Sequence, residues 1–185
     1  MNVQDFIKQL YIKEIGEIKN EHPYMAYMVI GAGIEFLGKV LEQTSRNDWF
    51  AEHHSSVDFK KAVSDLQGLK KYEKIKDVLY THLRCGLLHS SVPKADLKLG
   101  DKNAEEEIST PPYILNIDAF YEAFKNACND VILKINDKSI TITDDFLDIE
   151  QRAIQTPLPQ QLKNDNSESE PSASTVTTSL SGCSI

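Results

Sequence analysis

Arg84-Cys85-Gly86-Leu87-Leu88-His89 places a permanently charged guanidinium and an imidazole five positions apart, with small and apolar residues between them. Arginine offers a planar fork of donors that fits a phosphate, and histidine gives or takes a proton near neutral pH. Together they are the groups needed to hold a phosphodiester and move protons around it. Spacing sets a condition on that chemistry. On an ideal helix, residues five apart sit about 140° apart around the axis. Three routes bring the two side chains together: a backbone that departs from ideal helix near Gly86, an Arg stem that reaches around, or a partner residue from a second copy across a symmetric interface.

Other residues of the right type carry less. His82, Cys85 and His89 fall within about 60° of one another on an ideal helix, an arc open to metal ligands. A zinc site needs a fourth ligand, and no second cluster has the standard spacing, so no metal and no cofactor is expected. His53-His54 reads as an exposed pair in a polar loop. Gly31-Ala32-Gly33 lacks a third glycine, since Phe36 stands in its place, and no strand-helix alternation follows. Close packing of helices is the better account of those glycines. Lys60, Lys61, Lys70, Lys71, Lys74 and Lys76 form a basic stretch on an otherwise acidic chain of net charge −8. Such a run is usually a solvated helix face, but phosphate binding needs local positive charge, and Lys70, Lys71 and Lys74 are the candidate RNA contacts.

The elements that would position these groups are helical. Phe6, Ile7, Leu10, Tyr11, Ile15 and Ile18 recur at helical spacing after Asn2, a predicted N-cap, and Asn20 with Pro23 marks the stop. Tyr24 to about Gln43 is apolar nearly all round until Glu35, as in a central helix. The longest apolar stretch within it, Tyr24 to Gly38, contains Glu35 and falls short of a bilayer span of about 20 residues, so no membrane span is expected. A polar segment over Ser45–Ser56 and a short helix at Phe59–Leu66 follow. A further helix begins near Leu69, carries Tyr72, Ile75, Val78, Leu79 and Leu83, and must finish before Pro93.

Lys94–Pro112 reads as a long charged loop. Asn116 is a predicted cap for the cleanest amphipathic stripe in the chain, Ile117 to Ile135, and Ser139–Thr143 alternates like a short strand. The chain of 185 residues is expected to form an all-α, antiparallel helical bundle over 1–150, with four main helices and a short extra one. Residues 151–185, rich in Ser, Thr, Pro, Asn and Gln, read as a disordered tail. Three scattered cysteines and an N-terminus without a signal-like pattern point to the reducing cytoplasm.

Tyr80 to Ser90, with Arg84 and His89 at four-residue separation, following one helix and preceding a loop and a final long helix, resembles the signature region of HEPN domains. Glu35 and Leu37-Gly38 in the apolar second helix are compatible with that family, and the architectural likeness spans roughly residues 1–137. The resemblance implies a small helical bundle, a homodimer, and a metal-independent endoribonuclease in which Arg84 and His89 from both subunits line one groove. Cleavage would proceed through the ribose 2′-OH, with His as general acid or base and Arg stabilising the developing charge. Cys85 departs from the polar residue that active members commonly carry after the Arg. That departure fits the competing reading: a non-catalytic HEPN-like module that binds a nucleotide or a partner protein.

Overall fold

The computed structural model describes residues 2–42, 54–94 and 96–142, all within one compact unit, Met1–Ala153. The 151–185 tail, Trp49, His53 and Thr143 lie outside the described residues.

Five helical segments and two short strands make up the described part. Helix α1 spans 3–18, with α-helical ends at Val3–Phe6 and Ile15–Ile18 and a π-helical middle at Ile7–Glu14. Asn2 caps it as expected, its side chain accepting from the Asp5 N–H at 2.8 Å. Helix α2 is Pro23–Leu41 and α3 is Ser55–Asp65. Helix α4 spans 67–90 and changes gait three times: 3-10 at Gln67–Ile75, α at Lys76–Val78, π at Leu79–Arg84 and α again at Cys85–Ser90. Helix α5 is Ile117–Asn136.

Helix α2 touches each of the other four, which is why its sequence is apolar almost all round. By length and composition alone it could cross a membrane, but ten of its residues are buried within the protein. Its crossing with α3 is set by Gly38, where an added Cβ would lie 1.9 Å from the Asp58 carbonyl oxygen, so only glycine fits. Aromatic side chains fill the centre. Phe120 lies between Tyr72 and Tyr27, with ring centroids 5.1 and 5.8 Å away, and Tyr11 meets both Phe36 and Phe124 edge-on.

The predicted loop over Lys94–Pro112 contains a strand. Strand β1 (Leu97–Gly100) pairs in parallel with β2 (Tyr113–Asn116), Leu97 opposite Tyr113 and Gly100 opposite Asn116. Parallel strands need a crossover of about a dozen residues, and the charged segment 101–112 supplies it without a helix. Asn116 does double duty. Its Oδ1 accepts from the Ala119 N–H at 3.0 Å, capping α5 as expected, while its Nδ2 donates to the carbonyls of Asp101, Lys102 and Ala104. The Tyr27 hydroxyl lies 2.9 Å from the carbonyls of both Gly100 and Leu115, fastening both strands to α2.

Two sequence expectations need correction. The protein is mostly helical but not purely so, because of this small sheet. Residues 139–142 are not a strand: Ile140 tucks beneath the end of α5, 7% exposed, with its N–H donated to the Lys134 carbonyl. The alternation there reflects one buried isoleucine at a helix end.

Candidate functional site

Arg84 and His89 meet within one chain. Arg84 Nη1 lies 3.5 Å from His89 Nε2, the outer limit of hydrogen-bond contact. A guanidinium can only donate, so a hydrogen bond between the two requires the His89 tautomer that leaves Nε2 free to accept. Residues 85–90 are α-helical, and the two Cα positions therefore stay on different faces. Of the three routes open to the sequence, the long Arg stem is the one taken.

The backbone in front of the pair is unusual. Over Leu79–Arg84 the helix widens to π geometry, and the Cys85 N–H reaches back five residues to the Tyr80 carbonyl. Single widened turns of this kind cluster at functional sites. Nothing in the side-chain pattern of this stretch announces it.

A third residue holds the guanidinium. Arg84 Nε is 2.6 Å from Glu35 Oε2, with the side chains only 18% and 8% exposed. The N–H is not aimed along this vector, and Nε has no hydrogen-bond partner, so the contact is one of charge with charge. Placement follows from α2. A Cβ on Gly31 would lie 3.6 Å from Arg84 Cα, so the two helices approach closely there. Glu35 and Lys39 follow Gly31 at four-residue intervals and share its face.

Glu35 is well satisfied. Its Oε2 accepts from Ser55 Oγ at 2.6 Å and its Oε1 lies 3.2 Å from Lys39 Nζ, while Tyr80 Oη donates to Ser55 Oγ at 3.3 Å. Burial favours the protonated carboxyl, but the Ser55 hydrogen bond with the charges of Arg84 and Lys39 outweighs it. The Glu35 pKa is held below its ordinary value. The site thus contains a carboxylate that stays ionised, a guanidinium braced by it, and an exposed imidazole at the guanidinium's far end.

Exposed apolar side chains occur on the His89 segment and at the start of α2. Leu88 and Val92 are 41% and 60% exposed, and Tyr24 and Met25 are 39% and 52% exposed. The Tyr24 hydroxyl donates to the Ser91 carbonyl, which joins the start of α2 to the end of α4.

The basic stretch is a different place. Lys70 pairs with Glu73 at 3.0 Å, Lys71 with Glu106 at 2.8 Å, Lys60 with Asp77 at 2.6 Å, and Lys61 with both Glu42 and Asp65 at 2.9 Å. Lys76 donates to Ser64 Oγ. Only Lys74 has no such contact among the described residues. Lys70, Lys71 and Lys74 line an open cavity of about 640 Å³ together with Ile75, Ile108 and Tyr113, and neither Arg84 nor His89 belongs to its wall. In the sequence Glu35 stands out as an interruption of an apolar run and as a residue compatible with the HEPN resemblance; its role as the brace of Arg84 is not legible there. The only available hint was a charge at helical spacing from a glycine on a core helix.

Among the described residues no group of three or more His, Cys, Asp or Glu side chains is placed to hold a metal ion. His82, Cys85 and His89 therefore do not converge as ligands. No family model, no curated protein and no solved structure matches the chain.

Proposed function

We propose that the protein is a cytoplasmic, homodimeric, HEPN-like RNA-acting protein built as an antiparallel bundle, with Arg84 and His89 as its working residues and metal-independent cleavage of RNA as its reaction. The observation that carries this reading is the contact between Arg84 Nη1 and His89 Nε2, with Glu35 bracing the guanidinium from behind. An arginine held in this way is set to stabilise charge on a phosphorane-like transition state without reorganising. An exposed imidazole beside it can take the 2′-OH proton or protonate the leaving oxygen.

One imidazole does not complete both transfers in one step. The exposed apolar side chains of Leu88 and Val92 on the His89 segment, and of Tyr24 and Met25 at the start of α2, support a symmetric contact that brings a second Arg-His pair to the same groove. The test is RNA cleavage in the presence of a chelator by wild type, His89→Ala and Arg84→Lys. Loss in His89→Ala with the fold intact is expected, since His89 is exposed. Equal cleavage by wild type and His89→Ala excludes the site.

A second reading has its own support. The Glu35–Arg84 pair is also what a purely structural ion pair looks like, and Cys85 beside it offers no polar group. A non-catalytic module of this kind leaves RNA intact and retains a specific partner in a pull-down from its native host.

A further inference from the structure

The cavity beside the 3-10 turn of α4 has a composition unlike the Arg84 site. Its wall combines three lysine ammonium groups and one carboxylate, Glu73, with an apolar side made by Ile75, Ile108 and the half-buried Tyr113 ring. Its volume of about 640 Å³ is that of a pocket for one small molecule rather than a track for a strand. Lys74 sets the wall apart: Lys60 and Lys61 outside it, and Lys70 and Lys71 within it, are paired with carboxylates, whereas Lys74 has no ion pair among the described residues.

We propose that this cavity binds a nucleotide with a terminal phosphate, the phosphate seated on Lys74, Lys70 and Lys71 and the base against Tyr113. Lys74 is the anchor, because it is exposed and has no ion pair among the described residues to give up. Lys70 and Lys71 need only swing away from Glu73 and Glu106. Their side chains are 50% and 42% exposed, and such surface pairs hold by about 0–1 kcal/mol. A dianionic phosphate offers each ammonium a stronger, charge-assisted partner. Tyr113 supplies a flat face for the base, and Ile75 and Ile108 supply the apolar floor. The inference does not rest on Arg84 or His89.

The test is calorimetric titration of the full chain, at low salt, with 5′-AMP, adenosine, inorganic phosphate, and an RNA trinucleotide with and without a 5′-phosphate. AMP is expected to bind at least about tenfold more tightly than adenosine or inorganic phosphate, and to weaken as salt is added. Binding of the 5′-phosphorylated trinucleotide as well assigns the cavity to strand ends; binding of AMP alone assigns it to a free nucleotide. Lys74→Glu is expected to lose tenfold or more. Tyr113→Leu, which keeps bulk but not the ring, is expected to lose the preference for AMP over inorganic phosphate. His89→Ala is expected to bind AMP as wild type does, so a failed cleavage assay and a failed titration are separate results. AMP binding no tighter than adenosine, or undiminished binding in Lys74→Glu, overturns the proposal.

Discussion

Arg84 and Lys71 are both cations with a carboxylate oxygen within 3 Å, at 2.6 Å from Glu35 and 2.8 Å from Glu106. What surrounds them differs. The Arg84 and Glu35 side chains are 18% and 8% exposed, against 42% and 20% for Lys71 and Glu106. Water screens the second pair and largely leaves the first alone, so the same Coulomb contact has several times the strength around Arg84. The dense run of lysines is the obvious positive feature of the sequence. One arginine on the neighbouring part of the same helix has the environment in which a charge does chemistry.

Breaking the inner pair is the largest expected effect. Glu35→Ala strands the Arg84 guanidinium in a site with little water, and removes the acceptor of Ser55 and the partner of Lys39. A loss of about 3 kcal/mol is expected, read from urea unfolding at neutral pH. Arg84→Ala in the same background should cost far less than it does alone, because the two side chains share one interaction. A Glu35→Ala protein as stable as wild type would erase the distinction between the two regions.

The inner pair also carries a pH signature. Glu35 has a folded-state pKa below its ordinary value of 4.5, so the unfolded chain takes up this proton more readily than the folded one. The stability it contributes is fully present above 4.5 and is lost as pH falls through the lowered folded value. The stability gap between wild type and Glu35→Gln is therefore expected to narrow progressively below 4.5. A gap that widens in acid contradicts the sign.

Between the two extremes lies Tyr72, buried in the core, whose hydroxyl donates to Glu106 Oε1 at 2.6 Å. Burial first, then the Glu106 carboxylate, push its pKa well above the tyrosine range, so it remains a donor at any ordinary pH. Tyr72→Phe removes one hydrogen bond and keeps the ring against Phe120. About 1 kcal/mol of stability should go, and with it one of the two tethers that hold Glu106 and its crossover segment against α4. Faster proteolytic cutting within 101–112 in the variant is the second readout.

How much of this was legible in the sequence depended on the range over which each feature is decided. Asn2 and Asn116 read correctly as caps because a cap is settled within three residues, and α5 because its stripe is continuous. Arg84 and His89 could be considered together because they are near neighbours, and their side chains approach to 3.5 Å. Strands β1 and β2 escaped notice, since four residues each, separated by a charged segment, show no alternation until they are laid side by side. The bracing role of Glu35 escaped for the same reason: its partners Ser55 and Arg84 come from two other helices. The lysine run reads as a solvated face with local positive charge for phosphate, and the linear pattern does not reveal its carboxylate partners from distant positions, Glu42, Asp77 and Glu106.

The smallest effect belongs to those lysines, and it sharpens the comparison most. Lys71→Ala removes the Glu106 ion pair and the ammonium 4.7 Å from the Tyr72 ring centroid. Both contacts are made by a long, solvated side chain that gives up rotamer freedom to make them. Exposed pairs of this kind are worth about 0.2–1 kcal/mol, and Lys70→Ala, which loses an i,i+3 pair with Glu73, belongs at the lower end. Screening adds a second measurement on the same proteins. Raising salt beyond a Debye length of about 3 Å, near 1 M, should abolish the small difference between wild type and Lys71→Ala, while the deficit of Glu35→Ala persists because salt does not enter its site. If both deficits fade together as salt rises, the Arg84 pair is as solvated as the lysines, and the burial that singles it out has no energetic meaning.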